Sequence, residues 1–266
     1  MPETFPKWVS DSKATPMGVF EGEDLIALAN LERVDGTSIA WVQGLRVKDG
    51  YRQKGYGTSV TNAIVDISRT MGIRTLWYAT SSKNTSSQHV AERTGFKVVD
   101  NTGYFRLYKP YPPHAKPSPS IVPLQVNPSR LFEILQENPD LVQSTTFPLA
   151  WEFDFRSIEG LTRLLQNATI RVIIDESGRA QGVYCMITRQ RKDELTAAYT
   201  VFTTDRSIFV DIISRTIDEA ETLGANRAVY FLGPRATEWA LTLGFVDEEF
   251  NGRQFLLYEL NPAANA

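Results

Sequence analysis

The chain has 266 residues, of which 42% are hydrophobic and 22% charged, as is ordinary for a globular protein with a sizeable buried core. Its formal net charge is -3, which argues against a general nucleic-acid binder because no excess positive charge is available to displace counterions. The single cysteine, Cys185, excludes an intramolecular disulfide, and its apolar neighbours predict a buried, inert thiol. These features fit a reducing, cytoplasmic compartment.

The N-terminal segment has no pattern of a signal peptide, and the histidines have no pattern of a metal site. The first residues, MPETFPKWVSDSK, lack the basic segment and following apolar segment of a signal peptide. No apolar run approaches the length of a membrane span, so no membrane partner is expected. The two histidines, His89 and His114, have no metal-ligand spacing, and no metal site is expected.

In chain order, the first half alternates apolar strand-like runs with amphipathic helices. Strands are predicted at residues 17–22, 25–34 and 38–47, a helix at 57–72, a strand at 73–80 and a helix at 84–96. Asn84 is the expected N-cap of the last helix, and Gly95 supplies its C-terminal stop. The pattern indicates an α/β protein.

A proline-rich segment divides the chain. Residues 109–120, KPYPPHAKPSPS, contain five prolines and predict an extended linker in which His114 is solvated. On both sides the sequence reads helix, strand, helix, Gly-Phe, strand, with Gly95-Phe96 and Gly244-Phe245 at equivalent positions. We therefore predict a tandem duplication, with domains at residues 1–110 and 121–266 and a linker at 111–120.

The junction between the third strand and the first long helix carries the clearest chemical signal. Two cations, Arg52 and Lys54, and two glycines, Gly55 and Gly57, fall within six residues. A glycine-rich turn that opens a helix leaves backbone N–H groups free at the positive end of the helix dipole, which suits a phosphate group. The spacing matches neither the nucleotide triphosphate loop nor the dinucleotide fingerprint.

The pattern Arg52-x-x-Gly55-x-Gly57, followed by a helix from Asn84 to Gly-Phe, resembles the GNAT superfamily of acyl-CoA-dependent N-acetyltransferases. The resemblance covers residues 17–109 and implies two tandem GNAT-like domains, each a mixed, mostly antiparallel sheet flanked by helices. It implies acetyl-CoA as co-substrate, held by three groups of residues. These groups are Leu45, Arg46 and Val47 at the pantetheine arm; Arg52, Gln53, Lys54, Gly55, Tyr56, Gly57 and Thr58 at the pyrophosphate; and Asn84 and Ser87 near the thioester.

Two positions depart from the pattern of that superfamily. Many relatives carry a glutamate base where this chain has Gln43, and a tyrosine acid where it has Ala91. His89 lies about 200° around the helix from Ala91 and is expected on the helix surface. Ser87 shares the face of Ala91, so Gln43 and Ser87 are the predicted catalytic residues.

The predicted function is direct acetyl transfer to a small primary amine. Because an α-amino group titrates near pH 8 and a lysine amine above 10, the missing base weakly favours an amino acid α-amine. An acyl-CoA-binding regulatory module is the alternative, since Gln43 and Ala91 replace catalytic groups. The oligomeric state is left open, with a homodimer as one case.

Further expectations concern the N-terminal segment, the second half and the tryptophans. The segment FPKWVSD and the strands after it loosely resemble the histidine N-acetyltransferase family, and the usual first strand and helices of a GNAT domain are abbreviated here. The second half lacks a Gly-x-Gly loop, and Thr203, Thr204 and Asp205 are predicted to cap its helix. Trp8, Trp41 and Trp77 are assigned to the core rather than to a pocket.

Overall fold

The structure, a computed structural model, describes residues 5–245 and 252–265. The elements follow in chain order. They are α1 (Phe5–Ser10), β1 (Ala14–Glu21), β2 (Asp24–Arg33), β3 (Ile39–Val47), α2 (Tyr56–Thr70), β4 (Thr75–Ser81), α3 (Thr85–Arg93), β5 (Lys97–Tyr108), β6 (Leu124–Gln125), α4 (Pro128–Glu137), β7 (Thr146–Leu149), β8 (Glu152–Phe155), α5 (Ile158–Leu165), β9 (Thr169–Ile174), β10 (Ala180–Arg191), β11 (Glu194–Thr203), α6 (Arg206–Thr222), β12 (Arg227–Leu232), α7 (Pro234–Thr242), β13 (Gln254–Leu260) and a 3-10 helix (Pro262–Asn265).

The chain divides into two compact units. The first comprises Met1–Asn101 and Leu256–Ala266, and the second comprises Thr102–Phe255. The units differ from the predicted domains, because residues 102–110 lie in the second unit and residues 256–266 in the first. The predicted domains describe the order of the sequence repeat and stay a prediction.

The first unit is a sheet in the order β1-β2-β3-β4-β13. Strands β1, β2 and β3 are antiparallel, whereas β3 and β4 run parallel. Helix α2 packs on this sheet through a buried stripe that includes Val60, Ile64 and Val65. Leu256, Tyr258 and Leu260 of β13 belong to the same core, so the last strand of the chain completes its first unit.

The second unit is a sheet in the order β5-β12-β11-β10-β9-β6, with β7 and β8 as a separate hairpin. Strands β11 and β12 are parallel, and the other ladders are antiparallel. One core holds residues of α6 and α7, and a second core holds residues of α4 and α5. Helices therefore contribute to two separate cores in this unit.

The predicted α/β class with mixed, mostly antiparallel sheets and flanking helices is confirmed. All six elements predicted for the first half are present with shifted ends, and α1 was not predicted. In the ranges that the structure describes, no helix is long and apolar enough to cross a membrane.

The proline-rich segment is attached to the second unit by hydrogen bonds at several residues. The Tyr111 hydroxyl donates to the Ala225 carbonyl, and the amide of Ser118 donates to Asp211 on α6. His114 places Nε2 2.8 Å from Asp218, and its side chain is 16% exposed. The expectation of a solvated His114 is therefore wrong, because residues 111–118 lie along α6 and exchange hydrogen bonds with it.

Candidate active site

The site begins where two parallel strands separate. Strands β3 and β4 pair at only three positions, the last being Trp41 with Trp77. Strand β3 then continues to Val47 and β4 to Ser81, without a further pair between them in the part of the chain that the structure describes. This opening leaves strand-like backbone groups on β3 that an extended ligand arm can bind as a strand would.

A β-bulge lies on β3 within this opening. In the ladder with β2, Asn30 pairs with Gln43 and Leu28 with Arg46, so Ala29 faces two residues of β3, Gly44 and Leu45. Gly44 has φ 68° and lies against the ring of Trp8, so a side chain there would collide with the ring. A bulge leaves a residue of its strand outside the regular ladder, so a backbone N–H at Gly44 or Leu45 can face away from β2.

The glycine-rich turn opens α2 without a protein cap. Gly55 is the N-cap residue at φ 86°, and no side chain caps the helix. A β-carbon on Gly55 would meet no described atom within 4 Å, so the space in front of the helix is open. The first N–H groups of α2, from Tyr56 to Thr58, have no acceptor within the helix and mark its positive end. This geometry suits a phosphate.

The cations of the turn lie at its exposed rim. Arg52 pairs with Asp49 at 2.9 Å, and its side chain is 71% exposed. Lys54 lies over the Tyr51 ring, 5.2 Å from its centroid. Arg46 is exposed and donates to the Leu45 carbonyl. These charges attract an anion through water rather than through buried contacts.

The start of α3 carries a small hydrogen-bond network. The Asn84 amide nitrogen donates to Thr80 Oγ1 at 3.1 Å and to Ser87 Oγ at 2.8 Å, and its oxygen accepts from the Ser87 amide. Asn84 is the N-cap of α3, as predicted. Since Ser87 Oγ already accepts a bond, its own proton is available to a neighbour.

Tyr78 is the residue at this network that the sequence analysis missed. It follows Trp77, the last residue of β4 that pairs with β3. Burial raises the pKa of Tyr78, whereas the hydrogen bond with Ser87 and the charge of Arg46 lower it. The net pKa is raised, so the phenol stays protonated at neutral pH and can donate a proton. No local pattern in the sequence signals this contact, because it depends on how β4 and α3 converge.

The predicted catalytic residues lie on opposite faces of the sheet. Ser87 is on the helix side, and Ala91 on the same helix is buried in the core under α2. Gln43 alternates with the core residue Val42 and so projects to the other face, where its Nε2 donates to Glu32. His89 is exposed on α3, as predicted.

The second unit has neither the separated parallel strands nor the uncapped helix of the first unit in its described residues. Strands β11 and β12 stay paired over six positions, from Thr196 with Arg227 to Val201 with Leu232. Asp205 caps α6, since its carboxylate accepts from the amides of Ser207 and Ile208. The hydrogen bonds from Ser207 and Ile208 lower the pKa of Asp205. A carboxylate therefore occupies the helix end that would otherwise bind an anion, and the predicted cap is confirmed at Asp205.

Residues 1–96 match a family model described as the Acetyltransferase (GNAT) family. No curated protein matches the chain. The predicted resemblance to GNAT proteins is confirmed, and the narrower resemblance to histidine N-acetyltransferases stays a prediction.

Several solved structures share the fold over nearly the whole chain. One from Thermoplasma acidophilum, described as an acetyltransferase, has a TM-score of 0.60 at 16% identity and covers 97% of this chain and 82% of its own. A GCN5-related N-acetyltransferase of Sphaerobacter thermophilus has a TM-score of 0.58 at 12% identity, covering 98% and 85%. A tandem GNAT protein of the clavulanic acid biosynthesis pathway has a TM-score of 0.54 at 12% identity, covering 95% and 85%. At these identities the likeness concerns the fold.

Proposed function

Because residues 1–96 match the GNAT acetyltransferase family and the chain has the fold of a tandem GNAT protein, we propose that it is an acetyl-CoA-dependent N-acetyltransferase. One observation carries the proposal: the first unit combines separated strands, a bulge and an uncapped glycine turn, whereas the second has paired strands and a capped helix. The active site therefore belongs to the first unit.

The residues of the first unit fit acetyl-CoA in two places. The backbone N–H groups from Gln53 to Thr58 bind the pyrophosphate, with Arg52 and Lys54 at the rim. The free edge of β3 from Leu45 to Val47 binds the extended arm. When bound, acetyl-CoA would supply an activated acetyl thioester to this site.

The protein acts on the reaction mainly by positioning. The N–H groups released by the bulge at Gly44 and Leu45 stabilise negative charge that develops on a carbonyl oxygen. Gln43 contacts the incoming amine from the other face of the sheet. Ser87 and Tyr78 hold a proton next to the departing sulfur, which leaves readily because a thiol has a pKa of about 8.5.

The acceptor is a small primary amine, with the α-amine of an amino acid as the favoured case. An α-amine with a pKa near 8 is partly neutral at pH 7, so it needs little help from a base. A cytoplasmic location and a homodimer stay predictions.

A thiol-release assay with free amino acids and polyamines, combined with calorimetry of CoA binding, tests the proposal. We expect one CoA site per chain and release that depends on an amine. Gly55→Asp should abolish CoA binding, because a carboxylate would stand in front of the uncapped helix. Gly178→Asp is the matched control, since Gly178 also has positive φ and open space in the second unit. Two equal CoA sites would contradict the proposal.

The second candidate function is an acyl-CoA-binding regulatory module. Ala91, buried and apolar where relatives carry an acid, is the observation that favours it. CoA binding without thiol release for any amine tested would select this function instead.

A further inference from the structure

A row of polar side chains crosses β2 and β3 on the face of the sheet that turns away from α2 and α3. Ala29 of β2 and Val42 of β3 pack into the core under the helices. The residues that alternate with them, Asn30, Glu32 and Gln43, therefore project to the opposite face. Asn30 lies directly opposite Gln43 in the ladder, and this pair is adjacent to the bulge. The row thus lies beside the proposed reaction centre.

Asn30 is the unusual member of this row. Its side chain is 0% exposed, yet neither Nδ2 nor Oδ1 has a hydrogen-bond partner among residues 5–245 and 252–265. Burying an amide whose hydrogen bonds are unmade destabilises a protein, and native structures rarely keep such groups without a purpose. Asn30 therefore offers one donor and one acceptor to a group that is not part of the described chain.

Gln43 is held in one orientation by Glu32. A carboxylate accepts hydrogen bonds and does not donate them, so the Gln43 amide nitrogen must be the atom that faces Glu32. Gln43 Oε1 consequently points away from the carboxylate, where it can accept a hydrogen bond. Gln43 has no carboxylate, but Glu32 of the neighbouring strand β2 places a carboxylate next to its amide.

We propose that Asn30, Glu32 and Gln43 form the acceptor subsite, and that it takes an amine whose neighbouring carbon bears a carbonyl or carboxylate oxygen, as in an α-amino acid. Gln43 Oε1 and Asn30 Oδ1 accept from the amine, and Asn30 Nδ2 donates to the neighbouring oxygen. Glu32 is a positioning residue that acts through Gln43, and its charge attracts the acceptor in its cationic form, which loses a proton to solvent before the neutral amine reacts. The inference rests on the proposed function, which it deepens.

Asn30→Leu gives the first test, because leucine has a similar volume and no polar atoms. A purely structural Asn30 should leave acceptor kinetics unchanged. The subsite instead predicts an unchanged or higher Tm, since two unmade hydrogen bonds disappear, together with an increase of tenfold or more in KM for the best amino acid. CoA affinity should not change. A KM within twofold of the wild-type value would overturn the proposal.

Two substitutions at Glu32 separate orientation from charge. Glu32→Gln keeps an acceptor for the Gln43 amide but removes the charge, so the acceptor KM should rise by roughly threefold to tenfold. Glu32→Leu removes both, and KM should rise by more than tenfold. Asp35→Asn is the matched control, an exposed carboxylate in the same hairpin that pairs with Lys13. Equal KM values in all four proteins would contradict the role of Glu32.

Matched probes test the chemical class of the acceptor. Each free amino acid is compared in the thiol-release assay with the amine obtained by removing its carboxyl group. The subsite predicts that the amino acid is the better acceptor in each active pair, because only it can satisfy Asn30 Nδ2. Equal or better turnover of the decarboxylated amines would overturn the subsite while the acetyltransferase stands. No release with any probe would overturn both proposals.

Discussion

At the scale of single residues, the glycine turn before α2 is open because no described atom fills the space beside Gly55. Its φ of 86° favours glycine, and no side chain caps the helix that follows. The charged residues of the same turn are exposed, and Arg52 is already paired with Asp49. The backbone should therefore contribute more to phosphate binding than the cations do.

Arg52→Ala should weaken CoA binding by about 1 kcal/mol, because an exposed charge contributes modestly through solvent. Dephospho-CoA, which keeps the pyrophosphate, should lose the same amount in calorimetry. Arg179→Ala is the control, an exposed arginine paired with Asp175 in the second unit. An unchanged affinity would place Arg52 on a solvated surface without a role in binding.

Cys185 should not react with thiol reagents in the native protein. It is 0% exposed, and burial raises the pKa of its thiol well above the ordinary value, so little thiolate forms at neutral pH. Mass spectrometry after maleimide treatment should show labelling only in denaturant. Rapid labelling of the folded chain would contradict the buried position.

At the scale of elements, the two helices that follow parallel strands begin differently. Helix α2 begins at an uncapped glycine, whereas α6 begins at Asp205, which accepts two amide hydrogen bonds. The same element position can bind a ligand in one unit and stabilise the fold in the other.

Asp205→Ala should destabilise the second unit by about 1 kcal/mol without changing CoA binding, because the lost cap belongs to the unit that lacks the proposed site. The folded pKa of Asp205 is lowered, so its contribution is present above its ordinary pKa near 4 and is lost as pH falls through the lower folded value. Denaturant unfolding should therefore show the difference at pH 7 and little of it below pH 3. Asp193→Ala, at an exposed turn, serves as the control.

The proline-rich segment is tied to α6 by His114. Desolvation lowers the pKa of His114, but hydrogen bonds to Asp218 and to the Pro112 carbonyl outweigh it, and the net pKa is raised. The resulting stability is fully present below the ordinary pKa of about 6.5 and is lost as pH rises through the higher folded value.

His114→Gln should therefore destabilise the protein at pH 6 by up to about 1 kcal/mol and have a smaller effect at pH 9. Denaturant midpoints measured across this range check the prediction. His89→Gln, at an exposed position on α3, is the matched control. A larger effect of His114→Gln at pH 9 than at pH 6 would contradict the sign.

At the scale of the whole molecule, the N-terminal and C-terminal segments of the chain belong to the same unit. The proposed anion-binding turn lies at residues 52–58, and the core of the same unit includes Leu256, Tyr258 and Leu260 of β13. Folding of the first unit therefore depends on β13.

Deleting residues 254–266 should abolish CoA binding although every predicted CoA contact remains. The deletion removes three core side chains, and each such loss costs roughly 2–5 kcal/mol, which exceeds the reserve of a typical domain. Calorimetry and circular dichroism would report the loss. Deleting only residues 264–266 is the control, and retained binding after the longer deletion would show that β13 is dispensable.

Much of this protein is readable from local patterns in its sequence. The elements of the first half, the glycine turn, the caps at Asn84 and Asp205 and the surface position of His89 depend on neighbours within a few residues. Periodicity, capping and positive φ act over that range, so the sequence alone predicted these features and the resemblance to GNAT proteins.

Contacts between distant segments were not readable in this way. Glu32 reaches Gln43 because a bulge sets the register of β2 and β3, and Tyr78 meets Ser87 because β4 and α3 converge. Strand β13 joins the first unit across a separation of more than 150 residues. Such pairings depend on the competition among all strands for partners, which no local pattern records, and they decide which side chains surround the proposed reaction centre.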